Sequence, residues 1–353
     1  MEDRGFGIEL EDRYADAVPK EDFDLDWFQD ADSVDFKLND EPVTKSGGSR
    51  MNKKARPGTL TPTGSTSADA DLQRLAWYFR LFLDQYNFTP GSEVNTHEYW
   101  GSEGKTLQSA RGIAVYDTLV KYIRGILCDS LKLEVSDEAM NVSADYVYAN
   151  EEADIIGITI PSFTRPADLE KDLFIMFYDV SLKMGLDEHG NLKPLDGIST
   201  SFNFEGSNNH DVDGTIGLGS RGPQARALAQ KRENSLSLVT SLTHDTVRSI
   251  LDAEYGEVGA YKPSHCKLLQ VPLEVTVSLC EFDDIEMKIL FPKCTLAVEY
   301  DMSGADRIEV TINLATLGSG TVTLENGVEV ATDMYVLLRN SQGEMVPGAS
   351  VTP

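Results

Sequence analysis

The segment SNNHDVDGTIGLGSRGPQ, residues 207–224, concentrates the residue types that most often do chemistry. Asn209, Asp211, Asp213 and Gly214 stand at the first, third, fifth and sixth places of a calcium loop, whose oxygen ligands need that spacing around a sharp turn. The same stretch spells G-x-G-x-x-G at Gly217, Gly219 and Gly222, the pattern that lets a backbone approach the phosphates of a dinucleotide. Each pattern lacks its context. A calcium loop closes on a glutamate at its twelfth place, which here is Ser220, and a dinucleotide loop joins a buried strand to a helix. Asn209, Asp211 and Asp213 stay as calcium candidates against the simpler expectation of Asp-Gly turns in an exposed, mobile loop.

No other constellation points to catalysis. The five histidines (His97, His189, His210, His244 and His265) stand outside any H-E-x-x-H or G-x-S-x-G signature. His265 and Cys266 are adjacent, which on a strand sends their side chains to opposite faces. Cys128, Cys266, Cys280 and Cys294 show no C-x-x-C spacing, so they are expected as reduced core or strand residues. No catalytic residue and no cofactor is expected.

The elements that would carry these residues are set by composition and period. The chain has 353 residues, 41% of them hydrophobic, enough for two cores. No apolar run approaches the length of a membrane helix, and the acidic start MEDRGFGIELEDRY has neither the basic nor the apolar region of a leader, so none is expected. With 31 basic and 58 acidic residues, the net charge is −27, which excludes gripping nucleic acid by phosphate neutralisation.

Internal repetition orders the rest. SVDFKL (33–38) resembles DVSLKM (179–184), and NKKARPGTLTPTGSTS (52–67) resembles AQKRENSLSLVTSLTH (229–244). A helix follows each. One is ADLQRLAWYFRLFLDQY, amphipathic through Leu72, Leu75, Phe79, Phe82, Leu83 and Tyr86. The other is THDTVRSILDAEYG, with Thr243 as N-cap, Gly256 as its stop, and Val247, Ile250 and Leu251 on one face. LKLEV (131–135) then matches LAVEY (296–300), and Val142, Ala144, Tyr146 and Tyr148 match Ile308, Val310, Ile312 and Leu314. Such alternation means half-buried antiparallel strands. The expected fold is therefore mainly β (α+β), with an acidic arm over 1–32, one strand-rich domain over 33–172, and a second over 173–353 that carries a long inserted loop at about 197–230. The first 42 residues hold 15 acids and 4 bases, yet Phe6 and Trp27 among them call for burial against a partner.

Taken in order, the glycine-rich opening RGFGIELEDRYADAV, the acidic stretch DADSVDFKLNDEPV, the strand-then-helix unit GTLTPTGSTSADADLQRLAWYFRLFL and the closing IEMKILFPKCTLAVEYDMSGADRIEVTINLATL resemble the two-domain, duplicated tail tube proteins of long-tailed bacterial or archaeal viruses. The resemblance implies two tandem β-sandwich-like tail tube domains, each flanked by one helix. It implies a structural virion protein of a non-contractile tail and no enzyme, found in the virion tail and, during assembly, in the host cytoplasm. Trimeric, pseudo-sixfold rings of it would stack around a tape-measure protein, between tail-tip and tail-terminator proteins, and DNA would pass without specific binding. Expected contact residues between subunits or rings are Phe6 and Trp27 of the arm, the basic clusters Lys53, Lys54, Arg56 and Lys231, Arg232, and Asp211, Gly214, Gly217 and Arg221 of the loop. The rival readings are a tail-tip, terminator or baseplate ring protein of the same fold, a calcium-dependent binding module, and an enzyme using the glycine loop.

Overall fold

The computed structural model describes residues 5–19, 25–29, 33–40, 42–45, 54–116, 118–135, 138–155, 173–186, 191–195, 199–241, 244–256, 261–264, 268–280, 284–301 and 309–347, with Phe23, Met51, Gly259, Cys266 and Phe282. The chain is mainly β. Its first half runs β1 (Gly5–Leu10), β2 (Asp26–Gln29), β3 (Val34–Lys37), β4 (Val43–Lys45), β5 (Lys54–Arg56), β6 (Thr63–Asp69), α1 (Leu75–Phe82), β7 (Gln85–Thr89), β8 (Asn95–Trp100), β9 (Ala110–Val115), β10 (Leu119–Val135), β11 (Met140–Val147) and β12 (Asn150–Ile155). The second runs β13 (Val180–Leu186), β14 (Leu192–Pro194), β15 (Ser199–Ser207), β16 (Glu233–Ser241), α2 (His244–Tyr255), β17 (Val271–Ser278), β18 (Glu286–Asp301), β19 (Glu309–Thr316), β20 (Gly320–Thr323), β21 (Glu329–Thr332) and β22 (Tyr335–Asn340).

Two long strands organise everything else. The first part of β10 lies between β9 and β12, and its second part lies between β11 and β15. Likewise the first part of β18 lies between β17 and β22, and its second part pairs with β19. Around β10 the order is β3, β6, β11, β10; around β18 it is β15, β16, β19, β18. The pair β1 and β2 sits on β9 as β13 and β14 sit on β17. The repetition of pairings therefore begins at Gly5. By pairing, β3 corresponds to β15 and β13 to β1, so the likeness of 33–38 to 179–184 joins strands with different neighbours. LKLEV and LAVEY do hold equivalent places, but their partners are Leu131↔Ala144 and Leu296↔Leu314, four residues from the register read in the sequence.

Additions distinguish the halves. The β4/β5 hairpin and the 208–232 loop each join the two equivalent strands; among the described residues, β7 and β8 have no counterpart in the second half and the β20/β21 hairpin none in the first. Two seams bind the halves: β10 to β15, and β22 to β8. Among the described residues the strand pairings branch without closing a ring. Among the described residues β3 pairs as a strand with β6 alone, β2 with β1, β12 with β10, β14 with β13 and β7 with β8, so each has one edge without a described strand beside it.

A long strand can serve two sheets only if it bends. In β10 the bend falls at Gly125, whose φ of +70° is strained for any residue with a Cβ. Its N–H donates to buried Glu11 (2.9 Å), and a Cβ there would stand 2.8 Å from that of Ala149 and 2.9 Å from the Tyr14 ring. Burial raises the Glu11 pKa, against the pull of its backbone bonds to Gly125 and Ala15.

One apolar core spans both halves, with Phe36, Leu133, Phe204, Leu236, Phe291 and Leu338 in a single cluster. Helix α1 lies inside it. All eight of its residues are buried, so the one-sided helix expected over 70–86 is shorter and covered all round, and Tyr86 falls in β7. The cover comes from β10 on one side and residues 340–346 on the other, where Asn340 Nδ2 donates to Leu72 O (3.0 Å) and Arg80 Nε to Met345 O (3.3 Å). Helix α2 ends at Gly256, at φ +79°, as its spacing predicts; Thr243 is outside the described residues.

Fully buried His97 pins the same C-terminal segment. Its Nε2 lies 3.0 Å from Gln342 O, an acceptor only, so that nitrogen carries the proton and Nδ1 accepts from Tyr86 Oη (3.0 Å). Burial lowers the His97 pKa to about 4, despite the Gln342 and Asn340 bonds that raise it.

Two tests follow from these constraints. Gly125→Ala should lower folding stability by roughly 1–3 kcal/mol in chemical denaturation, the cost of a strained backbone and a crowded Cβ. For His97, the folded pKa lies below the unfolded value near 6.5, so its contribution is complete above about pH 6.5 and is lost as pH falls towards 4. Denaturation midpoints should drop across that window by the equivalent of about 3 kcal/mol, and His97→Gln should flatten the drop.

Candidate assembly interface

The segment that looked most like chemistry is built into the seam between halves. Asn208, buried, donates from Nδ2 to Phe82 O and Cys128 O, both at 3.1 Å. His210 places its backbone N–H (2.7 Å) and Nδ1 (3.0 Å) on Asp129 Oδ1. Burial acts to raise the Asp129 pKa, but the His210 bonds hold it below its ordinary value. Further on, Arg221 donates from Nε to Gly58 O (3.0 Å), pairs with Asp40 (2.7 Å), and accepts at its own carbonyl from Leu60 N (2.5 Å). Ala227 packs with Leu127 and Val147, and Ala229 N donates to Lys105 O (3.1 Å). The expected mobile arm is thus a folded clasp on its own first half. At its tip Leu218 is fully exposed, beside Gly219 at φ +92°.

Neither ligand pattern is assembled there. Asn209 Nδ2 donates to Lys231 O (2.9 Å), Asp211 Oδ1 accepts from Gly214 N (3.0 Å), and Asp213 opens a 3-10 turn. Among the described residues no three His, Cys, Asp or Glu side chains gather as metal ligands. The stretch after Gly222 opens no helix, so the glycines lack the strand-to-helix setting. Gly217 faces Gln224 instead.

The basic clusters divide. Lys54 and Arg56 are exposed on β5, while Lys53 is outside the described residues. Lys231 is exposed and pairs with Glu233 (3.1 Å). Arg232 is a brace inside the chain: its guanidinium meets Asp84 and Asp333, each at 3.2 Å, and Ser102 O at 3.1 Å. Asp84, whose side chain is 1% exposed, also accepts from Ser102 N (2.7 Å) and Ser102 Oγ. Gly101 leaves room for the guanidinium, which a Cβ would strike. A cleft of about 600 Å³ opens beside this brace. Phe6 and Trp27 are also internal, in β1 and β2 under this chain's own core, so the apolar surface expected to meet a neighbour is used at home.

What remains outside is one broad sheet face. Strands β3, β6, β11, β10, β15, β16, β19 and β18 lie side by side, and a row of inward side chains crosses seven of them without a break: Ala68, Val142, Leu133, Phe204, Leu236, Leu314 and Leu296. The opposite face carries Thr63, Ser65 and Ser67 on β6, Ser201 and Asn203 on β15, Ser235 and Ser237 on β16, and Thr311 and Asn313 on β19. Its charges are Asp35, Asp69, Asp145, Glu134, Glu205, Glu233, Glu299 and Glu309 against Lys37 and Lys132. Each lysine pairs with an acid two residues away, Asp35 or Glu134. The residues of this face come from strands far apart in the chain and so form no local motif; the period-two serines of β6 and β16 are the sequence signal that marks it.

Compared with known proteins, the chain matches no family model and no curated sequence. No helix among the described residues is long and apolar enough to cross a membrane. Cys128 and Cys294 are buried, Cys266 and Cys280 are exposed, and all four are free; burial, the main cause, pushes the Cys128 thiol well up and that of Cys294 to about 12.

Arg232→Ala should cost about 3–5 kcal/mol in urea denaturation because it leaves Asp84 and Asp333 unpaired at the seam. Lys231→Ala, its exposed neighbour, should change stability by less than about 0.5 kcal/mol.

Proposed function

We propose that this chain is a structural ring subunit, the tail tube protein of a long-tailed virus, and that its broad polar sheet face lines the channel. The face carries the reading. A duct for DNA must not hold what passes through it, and this face offers hydroxyls, amides and carboxylates, no arginine among its described residues, and lysines already matched by acids. Carboxylates within a Debye length of a phosphate backbone repel it, and without a cationic patch no counterions are released to favour binding.

The repeated order of pairings supports the tandem of two tail tube domains, each contributing four strands to the face. Three chains would then supply three times eight strands to one inner wall with pseudo-sixfold symmetry. The opposite, apolar side of the sheet is already filled by α1 and the sheets around it, so the chain is ready to assemble through its edges. The clasp tip at Leu218 and the exposed β4/β5 hairpin with Lys54 and Arg56 are the features placed to meet a neighbouring subunit or ring.

Electron microscopy of the purified protein, concentrated at low and high salt, tests the reading. Rings or hollow tubes are expected, favoured by salt that screens the acidic wall. Dispersed particles at every salt and concentration would contradict it.

A further inference from the structure

We infer that Asn326, at the tip of the β20/β21 hairpin, is a modification site: in the folded protein its side-chain amide is lost to attack by the Gly327 nitrogen, which leaves aspartate and isoaspartate. The inference stands apart from the ring reading above. Sequence narrows the choice first. Of the chain's asparagines, Asn326 alone precedes a glycine, whose missing Cβ leaves the neighbouring nitrogen free to approach. Next in order are Asn234 and Asn340, each followed by serine. Both are buried and held: Asn234 Nδ2 donates to Asp333 (3.0 Å), while Asn340 Nδ2 donates to Leu72 O (3.0 Å) and its Oδ1 accepts from Gln342 N (3.0 Å).

The turn around Asn326 is set for the reaction. Leu324 O accepts from Gly327 N (2.8 Å) and Leu324 N donates to Val328 O (2.9 Å), which closes a tight hairpin end with Gly327 at φ +83°. Residues 325–329 are exposed, so water and hydroxide reach the tip. Beside Gly327 no heavy atom lies within 4 Å of where a Cβ would stand, which leaves space for a ring to close. The deciding contact is at the side chain, where Val328 N donates to Asn326 Oδ1 (3.0 Å). That bond holds the side-chain carbonyl over the following backbone and withdraws electrons from Cγ. It also faces the oxygen on which negative charge develops when the nitrogen adds. The bond from Gly327 N to Leu324 O opposes the reaction, because it must open as the nitrogen gives up its proton. This is a single hydrogen bond at an exposed tip, and no strand has to leave its sheet.

The step balances with water alone. A bond forms between Gly327 N and Asn326 Cγ, the C–N bond of the side-chain amide breaks, and the displaced nitrogen leaves as ammonia with the proton from Gly327 N. Water then opens the cyclic imide at either carbonyl. Breaking the new bond to Cγ restores the backbone as aspartate. Breaking the bond to the α-carbonyl instead routes the chain through Cγ as isoaspartate, with a free α-carboxylate. Both products add a negative charge where Glu325 and Glu329 already stand, and Arg339 is already shared between Glu286 and Glu325. Isoaspartate also lengthens the backbone in a turn that is tied down on both sides: Glu325 N donates to buried Glu98 (2.8 Å), and Val322 and Leu324 pack with Tyr335 and Leu337. The hairpin therefore changes irreversibly, in charge and in geometry, as the folded protein ages.

Peptide mapping by mass spectrometry tests the site. The full-length native protein is held in mildly alkaline buffer and sampled over time, with the altered residue located by fragmentation. An amide-to-acid mass gain is expected at Asn326 before any other asparagine. The same peptide should accept a methyl label from a carboxyl methyltransferase specific for isoaspartate. Asn326→Gln should abolish both signals, and more alkaline buffer should speed both in the parent chain. Val328→Pro, which removes the N–H that faces Oδ1, should slow conversion several-fold, with circular dichroism confirming that the variant is folded. Should that variant lose its fold, the time course of the unmodified chain still decides the site. A folded chain that does not convert, while the same chain in urea does, would overturn the inference, as would earlier conversion at Asn234 or Asn340. A folded Val328→Pro chain converting at the parent rate would overturn the part assigned to the Val328 N–H.

Discussion

The seam between β10 and β15 is the constraint on which the rest depends. Backbone hydrogen bonds along it turn two four-stranded sets into one sheet, and that sheet fixes everything on either side. Towards the core it aligns Leu133 with Phe204 and so brings Phe82 and Phe291 into ring contact with Phe204. Around the seam, the Arg232 brace and the 208–232 clasp repeat the connection with charge and hydrogen bonds. On the far side it lines up serines, threonines and acids from strands more than two hundred residues apart.

A sheet of this kind sets a problem and answers it by composition. Eight strands with a filled apolar side and a long open edge invite uncontrolled pairing. Acidic groups near the end of β18, Glu299 among them, together with the Tyr116 and Lys121 side chains that donate to the β3 carbonyls, make casual pairing unfavourable. On the proposed reading, the same negative charge would keep monomers apart and leave the assembled face indifferent to DNA. A net charge of −27 sets copies of the chain repelling one another, which favours solubility.

How much of this could be read in the sequence depended on whether a signal was local. Alternation identified the strands, and LKLEV and LAVEY sit at equivalent places because both carry the full core-facing pattern. Short alternating strands are degenerate, however: SVDFKL matches DVSLKM by eye, while pairing gives β3 a different counterpart. The helix pattern at 70–86 missed burial on every side, since the cover comes from residues 340–346. Arg232 read as an exposed contact because Asp84 and Asp333 lie 148 and 101 positions away. Phe6 and Trp27 announced burial correctly, but composition cannot say whether the partner is another copy or the chain itself.

The most direct test of the account is a helical reconstruction by cryo-electron microscopy of assembled protein, at a resolution that separates strands. It should show an inner wall built only from β3, β6, β11, β10, β15, β16, β19 and β18, with Ser235, Ser237 and Glu205 pointing into the lumen. An assembly in which this face lies on the outer surface, or is buried between rings, would contradict the account at its centre.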